Sequence, residues 1–272
     1  MNLWLWVLVL AVSVAGAIAV LSLVRRRAPD GGFFTDSDRA AGVFGVVGTS
    51  FAVLLAFVIF VAFQSYSSAK DKAGQEAIAV TELYHTSELF PANARADLAG
   101  ETICYARAVV EDEWPKMRHE RRSALVEGWI DRFDASLARL NLTGASQPVA
   151  FGHWLEQSSS RREGRRGRLA EASPFVPGPL WFALFVGAVL LVAFACLFGD
   201  RRERFPIQAT MVGAIAAIVV AGLLVIRFLD HPYENRAGSI KPVEMRHTLE
   251  LMQSRQGVIP VDPPCDNDGR PS

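Results

Sequence analysis

The sequence predicts an all-α, polytopic membrane protein: four transmembrane helices, with a helical polar domain between helices two and three. Three observations predict it. Basic and acidic side chains balance at 28 each, yet they are crowded into separate stretches. Residues 3–24, 40–63, 180–198 and 207–226 hold no Lys, Arg, Asp or Glu. About 20 consecutive apolar residues suffice to cross the hydrocarbon layer of a bilayer. Between those windows the spacing is helical, and no alternating Val, Ile or Thr run bounded by Asn-Gly turns occurs.

The first window reads as a retained helix. A signal peptide carries positive charge ahead of a short apolar core, whereas here Arg25, Arg26 and Arg27 follow it. Short loops rich in Lys and Arg stay in the cytoplasm. Those three arginines, and Arg201, Arg202 and Arg204 between helices three and four, therefore place both short loops inside. The N-terminus, residues 64–176 and the C-terminal tail are then expected outside the cytoplasm of a cell inner (plasma) membrane. The run RREGRRGRL (161–169) pulls the other way, but long loops count less in this rule.

On the second helix, Gly45, Gly48, Ala52 and Ala56 form a row of small residues. Gly213, Ala217 and Ala221 form another on the fourth. Such rows let helices approach closely. They fit packing within one chain, or a homo-oligomer in which helix two lines a pore. In the second case Phe57, Phe60 and Phe63 are candidates for a dewetting constriction, though equally for lipid contact. Ser13, Ser22, Thr49, Ser50, Gln208 and Thr210 complete the polar inventory of the four windows. Coupled transport needs ionisable groups in the bilayer, and none is placed there. Arg227 and Asp230, near the outer end of helix four, read as interface anchors or as partners of each other.

The polar domain begins without a break, because no Gly or Pro interrupts residues 64–73. Ala69, Ala73, Ala77, Val80 and Tyr84 form its first stripe. Asn93 is expected to cap a second helix, striped by Leu98, Thr102, Tyr105 and Val109 and ending before Pro115. Ser123 is expected to cap a third, with Leu125, Trp129, Phe133, Leu137 and Leu140 on one face. A fourth, about 149–171, carries the arginine run and reaches helix three past Pro174, Pro177 and Pro179.

The stretch VVEDEWPKM raises a separate question. Glu111, Asp112 and Glu113 fall in the last turn of the second polar helix, where the dipole disfavours acids by about 0.3–1 kcal/mol. Arg161, Arg165, Arg166 and Arg168 are the expected compensation, and Trp114 suits a membrane interface. The stretch reads as a structural joint between two helices. No spacing marks His85 or His119 as metal ligands, so no metal or cofactor is expected.

Cys196 reads as a small packing residue. Cys104 and Cys265 both fall on the proposed outer side, where disulfides persist. They are either a bridge tying the tail VIPVDPPCDNDGRPS to the domain or two unrelated thiols.

GVVGTSFAVLLAFVIFVAF, LYHTSELFP, YARAVVEDEWPKM, RRGRLAEASPFVPGPLW and LDHPY occur in this order between about Ala41 and Met252. In that succession the chain resembles the bacterial bestrophin-like domain family of four-helix membrane proteins, whose activity is unassigned. The family name points to bestrophins, pentameric anion channels that also carry a polar domain between two helix pairs. Two departures limit the transfer. The bestrophin domain is cytosolic, and the acidic calcium clasp of animal bestrophins has no counterpart here. After LDHP this chain also has Tyr233, Glu234 and Asn235 where the family has Phe and soon Gly.

A Gly-rich phosphate loop, His-Glu-x-x-His, Cys-x-x-Cys and Gly-x-Ser-x-Gly are all missing. An enzyme is not expected, nor a nucleic-acid partner. The expected function is an oligomeric, anion-channel-like protein in the lipid bilayer. The alternative is a non-conducting sensor or scaffold acting through its extracytoplasmic helical domain.

Overall fold

The computed structural model describes residues 3–29, 32–140, 147–255 and 261–272. Residues 30–31 of the first loop and 258–260 of the proline-rich tail therefore lie outside the described residues. Helices account for nearly all the regular structure: α1 (Leu3–Arg27), α2 (Ser37–Ser87), α3 (Ala92–Ala108), α4 (Trp114–Met117), α5 (Ala124–Ala138), α6 (Gln147–Ala170), α7 (Gly178–Leu197), α8 (Phe205–Leu229) and α9 (Val243–Arg255). A π-helical turn, Val109–Glu113, joins α3 to α4. The one bridge of β type among the described residues pairs Cys265 with Pro271. Among the described residues four helices, α1, α2, α7 and α8, are long and apolar enough to cross a membrane. With 51 residues, α2 runs roughly 75 Å.

The chain divides into two compact units. The first comprises Met1–Ser65 and Pro174–Asp230. Its interior is held by close approaches at glycine. A Cβ on Gly187 would lie 2.6 Å from the Phe51 ring, and one on Gly222 would lie 2.6 Å from Leu55. A side chain at either position would push α2 off α7 or α8. At the loop end, Arg25 donates to the Arg201 and Glu203 carbonyls, and Arg201 donates back to the Arg25 and Arg26 carbonyls. Each arginine thus satisfies backbone acceptors that a helix end or tight turn leaves open. At the other end, Asp230 accepts the Phe175 and Val176 amides at 2.7 and 2.9 Å and fixes the approach to α7.

The second unit comprises Tyr66–Ser173 and His231–Ser272. Its core gathers Leu83, Leu98, Ile103, Tyr105, Trp129, Phe133 and Trp154, all buried. Ser123 caps α5, its hydroxyl accepting the Val126 amide at 3.2 Å. A disulfide joins Cys104 of α3 to Cys265 of the tail. Around it, Arg107 donates to the Asp266 carbonyl at 3.1 Å and Trp129 donates to the Gly269 carbonyl at 2.7 Å. Gly269 has φ of +76° and lies on α3, so a Cβ there would come within 2.5 Å of the Ala108 nitrogen. Only glycine fits that place.

Two expected boundaries differ. Pro91, not Asn93, is the N-cap of α3, and Asn93 falls inside its first turn. Helical structure also continues past Pro115 to Met117. Proline lacks an N–H and collides with the carbonyl four residues back. The π turn relieves this by widening the helix: the Trp114 amide bonds to the Val109 carbonyl, five residues back, and Pro115 becomes an early residue of α4.

Candidate functional site

The second unit has a buried ionic cluster at its centre. Residues 161, 165 and 168 recur at three- and four-residue spacing, so Arg161, Arg165 and Arg168 share one face of α6, and all three are buried. Glu76 of α2 and Glu113 of the π turn are also buried. Arg168 bonds Glu76 at 2.6 and 3.0 Å and Glu113 at 2.7 Å. Arg165 holds Glu113 with a two-nitrogen fork at 2.6 and 3.1 Å, and it also reaches Glu127 at 3.0 Å. Tyr105 donates to Glu76 at 2.7 Å. Helix packing allows this closeness because α6 presents Gly164 to α2: a Cβ there would lie 2.7 Å from the Glu76 nitrogen.

Arg161 is set apart. Its guanidinium lies over the Tyr105 and Phe133 rings at 4.9 and 5.4 Å, with Nε and Nη1 unbonded. The two ring faces supply the electrostatic attraction.

Burial opposes charge at Glu113 and Arg165, and their partners reverse it. Burial alone would raise the Glu113 carboxyl, but Arg168 and Arg165 outweigh it and hold the group below the usual carboxylate range. Burial alone would lower Arg165, and its bonds to Glu113 drive it upward. For Tyr105 burial and the Glu76 charge act together, so the phenol stays protonated. Glu113, Arg165 and Arg168 are thus held in their charged forms by one another.

The three acids of VVEDEWPKM separate. Glu113 enters the ionic cluster, whereas Asp112 turns to Lys116 at 2.5 Å and to the Ser123 hydroxyl. Glu111 is exposed, as is Arg166. Trp114 is not at an interface. It is buried in the core of the second unit, donating to the Ile240 carbonyl at 3.3 Å, with Arg168 5.0 Å from its ring. The π turn rotates it inward. Glu76 was missed by sequence reasoning. The available signal was a lone acid three residues after Ala73 and four before Val80, inside an apolar stripe.

In the first unit the row of small residues on α2 divides. Gly48 faces inward, where a Cβ would touch Leu191 at 3.6 Å. Gly45, Ala52 and Ala56 face outward, with Phe57 and Phe60 exposed by 64% and 57% and Phe63 likewise exposed. The face is uncharged along its length.

Four apolar spans and a helical unit with an ionic centre define an integral membrane protein. The Bestrophin-like domain profile matches residues 7–242, and the chain belongs to that family. No curated protein matches it. A crystal structure of a bacterial Bestrophin homolog from Klebsiella pneumoniae with a leucine-to-threonine mutation is similar at TM-score 0.68 and 11% identity, over 93% of this chain and 98% of that one. An aspartate-to-alanine mutant of the Klebsiella homolog gives 0.67 and 13%, over 93% and 98%. A crystal structure described as a membrane protein gives 0.68 and 12%, over 94% and 99%. At these identities the likeness is one of fold.

Proposed function

We propose that the protein forms a homo-oligomeric channel in which the outward face of α2 lines a path for anions. The observation that carries this reading is the face itself: Gly45, Ala52, Ala56 and Phe60 are turned away from every other helix of the first unit, yet the row is smooth and uncharged. A lipid-facing helix needs no such row, whereas copies packed around an axis do. The phenyl rings would narrow the path and gate it by dewetting. Membership of the Bestrophin-like domain family and the solved Bestrophin homologs agree with a channel.

We further propose that the second unit lies outside the cytoplasm. Both arginine loops favour it by the positive-inside rule. The Cys104–Cys265 disulfide favours it because thiols stay reduced in most cytosols.

Purified protein in planar bilayers should carry a current whose reversal potential follows a chloride gradient, and Phe60→Ala should raise its unit conductance. Folded, oligomeric protein that passes no current under any gradient would refute the channel and leave a non-conducting scaffold.

A further inference from the structure

A pocket of about 860 Å³ opens on the second unit between the loop after α4 and the C-terminal half of α6. That volume lies within the roughly 300–1,000 Å³ of ligand clefts. Its charged lining is Lys72, Glu120, Arg121, Arg122, Glu163 and Arg166. Two of these six cancel: Lys72 is clamped by Glu163 at 2.7 Å and Gln75 at 2.9 Å, with its stem crossing Gly167. Three guanidinium groups then face one acid. Arg121, Arg122 and Arg166 are exposed, and none pairs with a carboxylate among the described residues.

The pocket adjoins a membrane span in the chain. Ser173, on its wall, is five residues before Gly178, where α7 begins. Five peptide steps span at most about 18 Å. Arginines beside a bilayer attract anionic headgroups by charge in whichever leaflet carries them, and the guanidinium fork matches two oxygens of a phosphodiester. We infer that Arg121, Arg122 and Arg166 form a docking pocket for the headgroup of an anionic phospholipid.

The test uses the full-length protein in a zwitterionic detergent, with its melting temperature followed as lipid is added. Phosphatidylglycerol should raise it. Phosphatidylcholine and inorganic phosphate at the same concentration should not. Arg121→Ser with Arg122→Ser and Arg166→Ser should lose at least three-quarters of the shift. Arg162→Ser with Arg246→Ser and Arg270→Ser, an equal charge change elsewhere, should keep it. Lysine at the three pocket positions preserves charge without the fork and should lose about half, which tests the site even if the serine variant fails to fold. Equal stabilisation by inorganic phosphate, equal loss in the control, or a full shift in the pocket variants would each overturn the proposal.

Discussion

Glu113 and Glu101 are both buried carboxylates of the second unit, and their surroundings push them in opposite directions. Glu113 is held below its usual range by Arg168 and Arg165 despite burial. Its stabilising effect is therefore complete above the unfolded-state value of about 4.3 and drains as pH falls through the folded-state value. The stability difference between the wild type and Glu113→Gln should stay flat from neutral pH to about 4.5 and shrink below that. Glu113→Gln, which leaves two arginines short of a carboxylate, should cost about 3–5 kcal/mol in chemical denaturation. For Glu101, burial raises the carboxyl and outweighs the Ser136 hydrogen bond. Its ionised form is the destabilised one, so the favourable contribution exists at low pH and is lost as pH rises through the folded value. Glu101→Gln keeps an acceptor for Ser136 and should raise the melting temperature at pH 7, with the gain vanishing near pH 4. An unchanged or lower melting temperature at pH 7 would contradict this account.

Between helices, contact distance is set by single glycines. At Gly164 a Cβ would strike the Glu76 backbone, so Gly164→Ala should separate α2 from α6, loosen the ionic cluster and destabilise by about 1–3 kcal/mol. Gly128, exposed within α5, has nothing within 4 Å of a built Cβ. There Gly128→Ala should stabilise by about 0.5–1 kcal/mol through the cost of glycine in a helix. Thermal unfolding of the pair checks both signs. The stripes of Leu98, Thr102, Tyr105 and Val109, and of Trp129 and Phe133, were legible because a buried helix face repeats at a fixed period. The π turn was not. Its sequence carries Pro115 as a stop signal, and whether the helix ends or widens depends on whether the next residues have a core to enter. Trp114 and Met117 have one.

At the scale of the molecule, the Cys104–Cys265 link closes 161 residues of chain. Chain-entropy reasoning gives about 5 kcal/mol for a loop of that order. Cys104→Ser with Cys265→Ser should lose that much stability, and the wild type treated with reductant should match it. Sidedness has its own measurement. With Cys196 replaced, a membrane-impermeant maleimide should label Ser254→Cys from outside intact cells and Arg26→Cys only after permeabilisation. Labelling of both from one side would overturn the proposed orientation.

The sequence by itself determined the α class and the four spans, because both rest on local quantities: the length of an uncharged run against the bilayer's thickness, and the 3.6-residue period. It also set Glu111, Asp112 and Glu113 against Arg161, Arg165, Arg166 and Arg168 as one joint, since acids at the end of a helix need compensation, without separating the members that meet from those that do not. Only the tertiary structure decided which groups meet. Glu76 and Arg168 are 92 residues apart in the chain, and Trp129 bonds a carbonyl 140 residues away. Trp114 became a core residue for the same reason. An amphipathic ring is stable at an interface or in a core with an acceptor, and the Ile240 carbonyl that satisfies it comes from 126 residues further on. Local sequence sets what a segment can form. Its partners are set by which distant surfaces bury the most apolar area while leaving the fewest charges unpaired.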